Sequence, residues 1–429
     1  MSKNKRTVSM AGVAVVAVAA TIGGSISKPA AAGLNQGTSV SRASAGTLLI
    51  WADRDRERDI TSLANAWGRK RGVAVKVIAK AEQSNIRADL ITVKADNAPD
   101  VILGAHDWVG QLAANGLIVP LVPKKSAIRY IPKYTRDAFS YGKTTSRLYG
   151  MPTHVENVGL FVNTKLARVP KSWADLEQQA LRFKKKGGGR VAIDVQQGLG
   201  GTGDAYHMYP FFSGLCGYVF GKTKGGALNP KLVGLDNAAF MKNAPMIDRW
   251  NKEGLINAKI DNDTAKSLFT SGKAAFWVTG PWNIDTARKA GVKFKIVQMP
   301  KIKCQSAPFL GVGGVMVTKF ARTHGVASAA KDFVGSYMAS TAAQTTLSVK
   351  NGRYPANTQA AKKIRNTALR QIGLASAGGI PMPNIPQMDS VWADLGTAWL
   401  KSTKGAGATK ARVAFKSAAR SIRNKIAGG

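Results

Sequence analysis

The chain is poor in the residues that metal centres, disulfide frameworks and many catalytic sites require. Its 429 residues hold 2 cysteines and 4 histidines. Two cysteines, Cys216 and Cys304, cannot build the dense cross-links of a small secreted scaffold; in an oxidising compartment they can pair, and as small buried residues they need not. His106, His154, His207 and His324 stand far apart, without the short spacing of a zinc site, so neither metal nor cofactor is expected. No G-x-S-x-G elbow occurs. No phosphate loop occurs either, because Asp137 and Cys216 stand where a first glycine would have to precede Gly142-Lys143 and Gly221-Lys222. Gly198, Gly200 and Gly203 do spell G-x-G-x-x-G, but no acid lies between Asp204 and Asp236 to hold a ribose. That stretch reads as a flexible loop.

Acidic residues are also scarce. Against 62 Lys and Arg there are 24 Asp and Glu, a formal charge of +38. A field of that sign attracts polyanions. The basic residues are spread along the whole length, though, and no zinc-finger, RNP-type or heptad pattern accompanies them, so nucleic acid is not the expected partner. Adhesion to an anionic cell envelope and simple solubility are the two readings of the charge.

Long hydrophobic runs are missing too. Met10 to Ile22 is the main one, shorter than the ~20 residues a membrane-spanning helix needs. Lys3, Lys5 and Arg6 precede it and Ala30-Ala31-Ala32 follow it, so residues 1–33 read as a secretory signal. No cysteine lies near its end, so no lipid anchor of that kind is expected, and the protein is placed outside the membrane, periplasmic or at the cell surface. Lys3, Lys5, Arg6 and Lys28 belong to this leader, and +38 less those four leaves +34. Residues 34–45 read as a linker.

Beyond the linker, 45% hydrophobic content and 45 glycines over this length suit two lobes rather than one core. Strand patterns at Thr47–Trp51, Val73–Ile78 and Pro99–Leu103 alternate with helical patterns ending at Gly72 and spanning 84–95. The theme repeats with strands at Gly159–Val162, Val191–Ile193, Ala274–Val278 and 315–318. Helices are expected at 204–215, 236–252, 325–348, 356–373 and 408–426, with Ser172 capping another. Such alternation predicts largely parallel α/β sheets with sites at the strands' carboxyl ends. The terminal pattern, with Phe415, Ala418, Ile422 and Ile426 on one face, fits a packed helix better than a membrane-surface one.

Carboxylates gather at those strand ends and helix starts: Asp53, Asp55, Asp107, Glu156 and Asp204. Interleaved with them are Trp108, Tyr206, Trp282 and Trp392. Acceptors beside flat apolar faces suit a sugar, whose hydroxyls need partners and whose ring carries an apolar C–H face. Singly, each carboxylate is a helix cap or surface group; together they point to a site. Paired acids also admit a glycosidase, although no pair here is singled out as one. The stretch from Met382 to Met388, with Pro383 and Pro386, cannot be helix interior, so it delivers Trp392 to a helix start from an extended loop.

That stretch, together with Leu49-Ile50-Trp51, Ala98 to Ile102, Ala105-His106-Asp107, Asn115 to Ile118, Pro152 to Glu156 and Thr279 to Trp282, resembles the maltose/maltodextrin-binding proteins of ABC importers. The resemblance covers about 46–426. It implies a two-lobed periplasmic-binding-protein fold, hinged over its ligand, with discontinuous lobes at 46–154 with 315–362 and 155–314 with 363–429. It implies that Asp53, Asp55, Arg56, Asp107 and Glu156 bind hydroxyls while Tyr206, Trp282 and Trp392 stack on rings, with Asp204 replacing a glutamate. Trp108 joins the ligand face because Gly104 stands where relatives carry a tryptophan, so one aromatic moves by a turn. Ala393 and Gly396 replace a tyrosine and an arginine, and 197–203 looks like an insertion at the cleft mouth. The implied function is capture of a maltodextrin-class oligosaccharide for a membrane permease, by a monomer without catalysis.

Overall fold

The computed structural model describes residues 46–142, 145–198, 201–224, 227–376 and 378–428. The expected leader and linker lie outside these residues. Among them, no helix is long and apolar enough to cross a membrane.

The chain opens on the strand Leu48–Asp53, whose last residue caps the helix Arg54–Arg71 by accepting a hydrogen bond from the Arg56 amide at 3.2 Å. Asp55 and Glu57 in the first turn, and Arg69, Lys70 and Arg71 in the last, suit the helix dipole. Gly72, at φ 69°, ends the helix in the left-handed region.

The first sheet runs in the order Tyr354–Pro355, Gly150–Glu156, Phe309–Val317, Val101–Ala105, Leu48–Asp53, Val75–Lys80, with Ile380–Pro381 added beside Phe309 and Leu310. Successive side chains point to opposite faces, and both faces are buried. Ile50, Leu103 and Val315 join Leu63, Trp67 and Phe333 on one face; Trp51, Ile102 and Met316 join Phe139 on the other. The second sheet, Phe294–Val297, Gly159–Asn163, Phe276–Thr279, Asp194–Val195, is built the same way. Leu160, Val162 and Val278 face a core with Trp399 and Phe415, while Phe161 and Trp277 face one with Phe269 and Ile372. The chain passes from the first sheet to the second between Glu156 and Gly159.

The sheets are less parallel than strand–helix alternation predicts. Phe309–Val317 runs antiparallel to Val101–Ala105 and to Gly150–Glu156, and in the second sheet Gly159–Asn163 runs antiparallel to the strands on both its sides. The cause is connectivity: Phe309–Val317 returns from a distant segment instead of closing a local crossover. Two expected helices are broken by caps. Ser340 accepts from the Ala343 amide and starts Thr341–Asn351 afresh, and Asn366 accepts from Ala368 and Leu369 to start Thr367–Ala375. The strand expected at Val191–Ile193 lies at Asp194–Val195 instead. Cys216 and Cys304 form a disulfide, tying the end of helix Ala205–Gly214 to the segment before Phe309.

Candidate ligand cleft

The seam between the two sheets gathers most of the sequence-predicted residues around the start of Phe309–Val317. From the first sheet, the turn after Val101–Ala105 presents His106 and Asp107. His106 accepts from the Val312 amide at 3.0 Å through Nδ1 and meets the Met382 carbonyl at 3.0 Å through Nε2, which therefore donates. Burial holds its pKa below the usual value, so the neutral ring acts as a strut. Asp107 is buried too, and burial raises its pKa against the opposing charge of Arg87 and the hydrogen bond from Trp392. Its Oδ2 accepts from Trp392 Nε1 at 3.1 Å, while its Oδ1 has no partner.

The Met382–Met388 segment behaves as its prolines require. It stays extended up to the short turn Pro386–Met388, then starts the helix Asp389–Thr403 with Trp392 in the first turn. Asn384 Nδ2 donates to the carbonyls of Ala138 and Ser140 at 3.1 and 3.2 Å, pinning the segment to the first sheet's side. The helix that follows packs into the second core. Asp389 at its start takes Arg87 at 2.6 Å and Gln111 at 2.9 Å, both on the first sheet's side.

From the second sheet's side come the aromatics. Trp392 meets Phe309 edge-on at 5.6 Å, Phe309 lies at 6.3 Å from Tyr206, and Tyr206 lies at 6.2 Å from Trp282. The Tyr206 hydroxyl is buried without a partner, and burial, with the charges of Glu156 and Asp204, pushes its pKa well up. Asp204 caps helix Ala205–Gly214. Its oxygens take the His207 amide at 2.9 Å, His207 Nδ1 at 2.8 Å and Gln196 Nε2 at 2.6 Å. Burial opposes its charge, but these bonds hold its pKa low. His207 Nε2, on the far side of the ring, is buried and unpartnered.

Beside these lies a charged cluster. Glu156 ion-pairs with Arg353 at 2.9 Å, and His154 Nε2 lies 3.4 Å from the same carboxylate, its own pKa held below the usual value by burial. Burial opposes ionisation of Glu156, yet the His154 hydrogen bond and the charge of Arg353 keep it far below the usual carboxylate range. Arg353 also lies 6.0 Å from the Trp282 ring. Glu156 and the Tyr206 hydroxyl flank Gly311, where a Cβ would stand 3.1 Å from one and 3.4 Å from the other. Asp53 pairs with Arg56, which offsets its burial and lowers its pKa.

Two expected residues sit elsewhere. Trp108 is buried in the first sheet's core rather than on the ligand face, its ring lying where a Cβ on Gly104 would come within 2.4 Å. The missing side chain at 104 leaves the space that this ring fills. Asp55 is exposed on the first turn of its helix. The structure adds Arg353, His154, Gln196, His207 and Phe309, which no local pattern distinguishes because each comes from a different segment. Residues 201–203 pack on Asp389–Thr403: a Cβ on Gly396 would lie 2.6 Å from the Gly203 carbonyl oxygen, and Thr397 donates to Thr202 O at 3.2 Å. Leu199 and Gly200 lie outside the described residues. No group of His, Cys, Asp and Glu able to hold a metal occurs among the described residues.

Chemically, the seam offers buried acceptors, donors and aromatic surface. The sequence profile of the family described as Bacterial extracellular solute-binding protein matches residues 62–370. A galactooligosaccharide-binding protein of Bacillus subtilis (strain 168) is 29% identical over 411 residues, covering 92% of this chain and 94% of its own length. The maltodextrin-binding protein MdxE of the same organism is 26% identical, covering 80% and 82%. The maltotriose binding protein of Thermus thermophilus, bound with maltotriose, superposes with a TM-score of 0.77 at 23% identity, over 88% of this chain and 100% of that one. This likeness identifies the two-lobed periplasmic-binding-protein fold.

Proposed function

Because the chain belongs to the bacterial extracellular solute-binding protein family, we propose that it captures an oligosaccharide between its lobes and delivers it to the membrane permease of an ABC importer. The observation that carries this reading is the set of buried, unpartnered polar groups along one aromatic seam: Asp107 Oδ1, Tyr206 Oη and His207 Nε2. Each such group left unpaired costs about 1–3 kcal/mol, a penalty that ligand hydroxyls relieve. We assign the ligand face to Asp53, Arg56, Asp107, Glu156, Asp204, Tyr206, Trp282 and Trp392, with Asp55 at the rim and Trp108 in the core over Gly104. The lobes divide as 46–154 with 315–362 and 155–314 with 363–429. Closure around the ligand is a population shift without covalent chemistry.

A maltodextrin-type ligand is the first reading, supported by the motifs around Glu156, Trp282 and Trp392. A galactooligosaccharide is the second, favoured by the longer and more identical match to the Bacillus subtilis galactooligosaccharide-binding protein. Calorimetric titration with maltotriose and with a galactotriose, followed by chromatography of the sugars, tests both. Binding of one sugar without cleavage is expected; binding of neither, or shortened products, overturns the proposal.

A further inference from the structure

The terminal helix Ala411–Gly428 separates into two faces of unlike chemistry. Ala411, Ala414, Phe415, Ala418, Ala419 and Ile422 are buried, sealed against the helix Asp389–Thr403 and the core around Trp399. The outer face carries Arg412, Lys416 and Arg420, all exposed, and the helix contains no acid. These three recur every fourth residue, so they form one stripe with about 6 Å between neighbours. Like charges at that spacing repel and weaken a helix. Elsewhere on the helix the repulsion is neutralised: Arg423 pairs with Asp236 at 2.5 Å and Lys425 with Asp394 at 2.8 Å. Arg412 finds only the Met241 carbonyl, and Lys416 and Arg420 have no partner among the described residues.

We infer that this outer face docks a linear polyol-phosphate polymer of the cell envelope. A flexible phosphodiester chain places charges in a row, and row meets row; release of its counterions drives the association. Two other polyanions fit less well. A membrane surface needs an apolar face to bury, and here that face is already packed inside the protein. A single-stranded nucleic acid needs aromatic platforms for its bases, and the outer face has none. The surface is separate from the ligand cleft, so the two functions fail independently.

The test uses the full mature chain with poly(glycerol phosphate), neutral dextran, single-stranded DNA of equal phosphate number and phosphatidylglycerol vesicles as probes. Poly(glycerol phosphate) is expected to bind at low salt, to be released at high salt and to exceed the other three. The double variant Lys416→Glu/Arg420→Glu, with an unchanged melting temperature, is expected to bind about tenfold more weakly and with a shallower salt dependence. Arg69→Glu/Lys70→Glu, an equal charge reversal on exposed positions of the helix Arg54–Arg71, is expected to change affinity less than about twofold. Equal loss in both double variants, no binding of the polymer, or tighter binding to DNA or vesicles overturns the inference.

Discussion

Trp282 and Trp392 reach the seam from different elements, and both are half-buried against other aromatic rings rather than enclosed in a core. Replacing either by alanine removes ligand-facing surface and is expected to weaken oligosaccharide binding by roughly 1–3 kcal/mol with little change in apo melting. Parallel calorimetry and thermal denaturation separate the two effects, and a fall in melting without a fall in affinity would return the residue to a packing role. Asp194 poses the opposite case. It is fully buried, neither carboxylate oxygen has a partner, and burial raises its pKa well above 3.8. The folded protein therefore holds a proton that the unfolded chain gives up. Stability from this group is complete below about pH 4 and declines as pH rises toward the raised folded value. Asp194→Asn is expected to flatten that decline and to be more stable than the parent at pH 8, as urea melts at pH 4 and pH 8 will show.

At the scale of elements, the helix Asp389–Thr403 connects the lobes. Its start is held by Arg87 and Gln111 from the first sheet's side, and its body lies in the second core. Midway, Gly396 lets the 201–203 segment approach so closely that a methyl group would meet backbone atoms. Gly396→Ala is expected to cost about 1–3 kcal/mol through overpacking, because the carbonyls of Thr202 and Gly203 cannot rotate away as a flexible side chain would. Chemical denaturation measures the loss, and an unchanged or raised midpoint would show that the segment yields freely. The prolines and asparagine of Met382–Met388 announced this junction in the sequence. The helix breaks at Ser340 and Asn366 were announced as well, by two residues that cap, but apolar periodicity running past them concealed the interruption.

At the scale of the molecule, the polar contacts that join the lobes include Arg87 and Gln111 with Asp389, Trp392 with Asp107, His106 with the Met382 carbonyl, and Asn384 with the Ala138 and Ser140 carbonyls. Contacts of this kind bias a hinge by a modest amount, which a ligand's preference for the closed form must add to. Asp389→Asn removes the ion pair and is expected to enlarge the radius of gyration of the apo protein in solution scattering, with ligand restoring the compact value. Affinity should fall a few-fold, by the fraction of closed form lost. A radius unchanged by the substitution would assign closure to the remaining contacts.

The sequence by itself determined what depends on near neighbours and on composition. Short continuous apolar runs set strands such as Leu48–Asp53 and Gly159–Asn163, capping residues such as Asp53 and Ser172 set helix starts, and the excess of basic residues set the field around the molecule. The loop from Met382 to Trp392 was legible because proline restricts backbone without reference to anything distant. Only the tertiary structure decided that the two cysteines pair, which way Phe309–Val317 runs, and that Trp108 fills the space above Gly104. It also brought Arg353 to Glu156 and Asp389 to Arg87 across separations of 197 and 302 residues. Such pairings follow from how two sheets with both faces buried close against each other, and no periodicity within one segment encodes them.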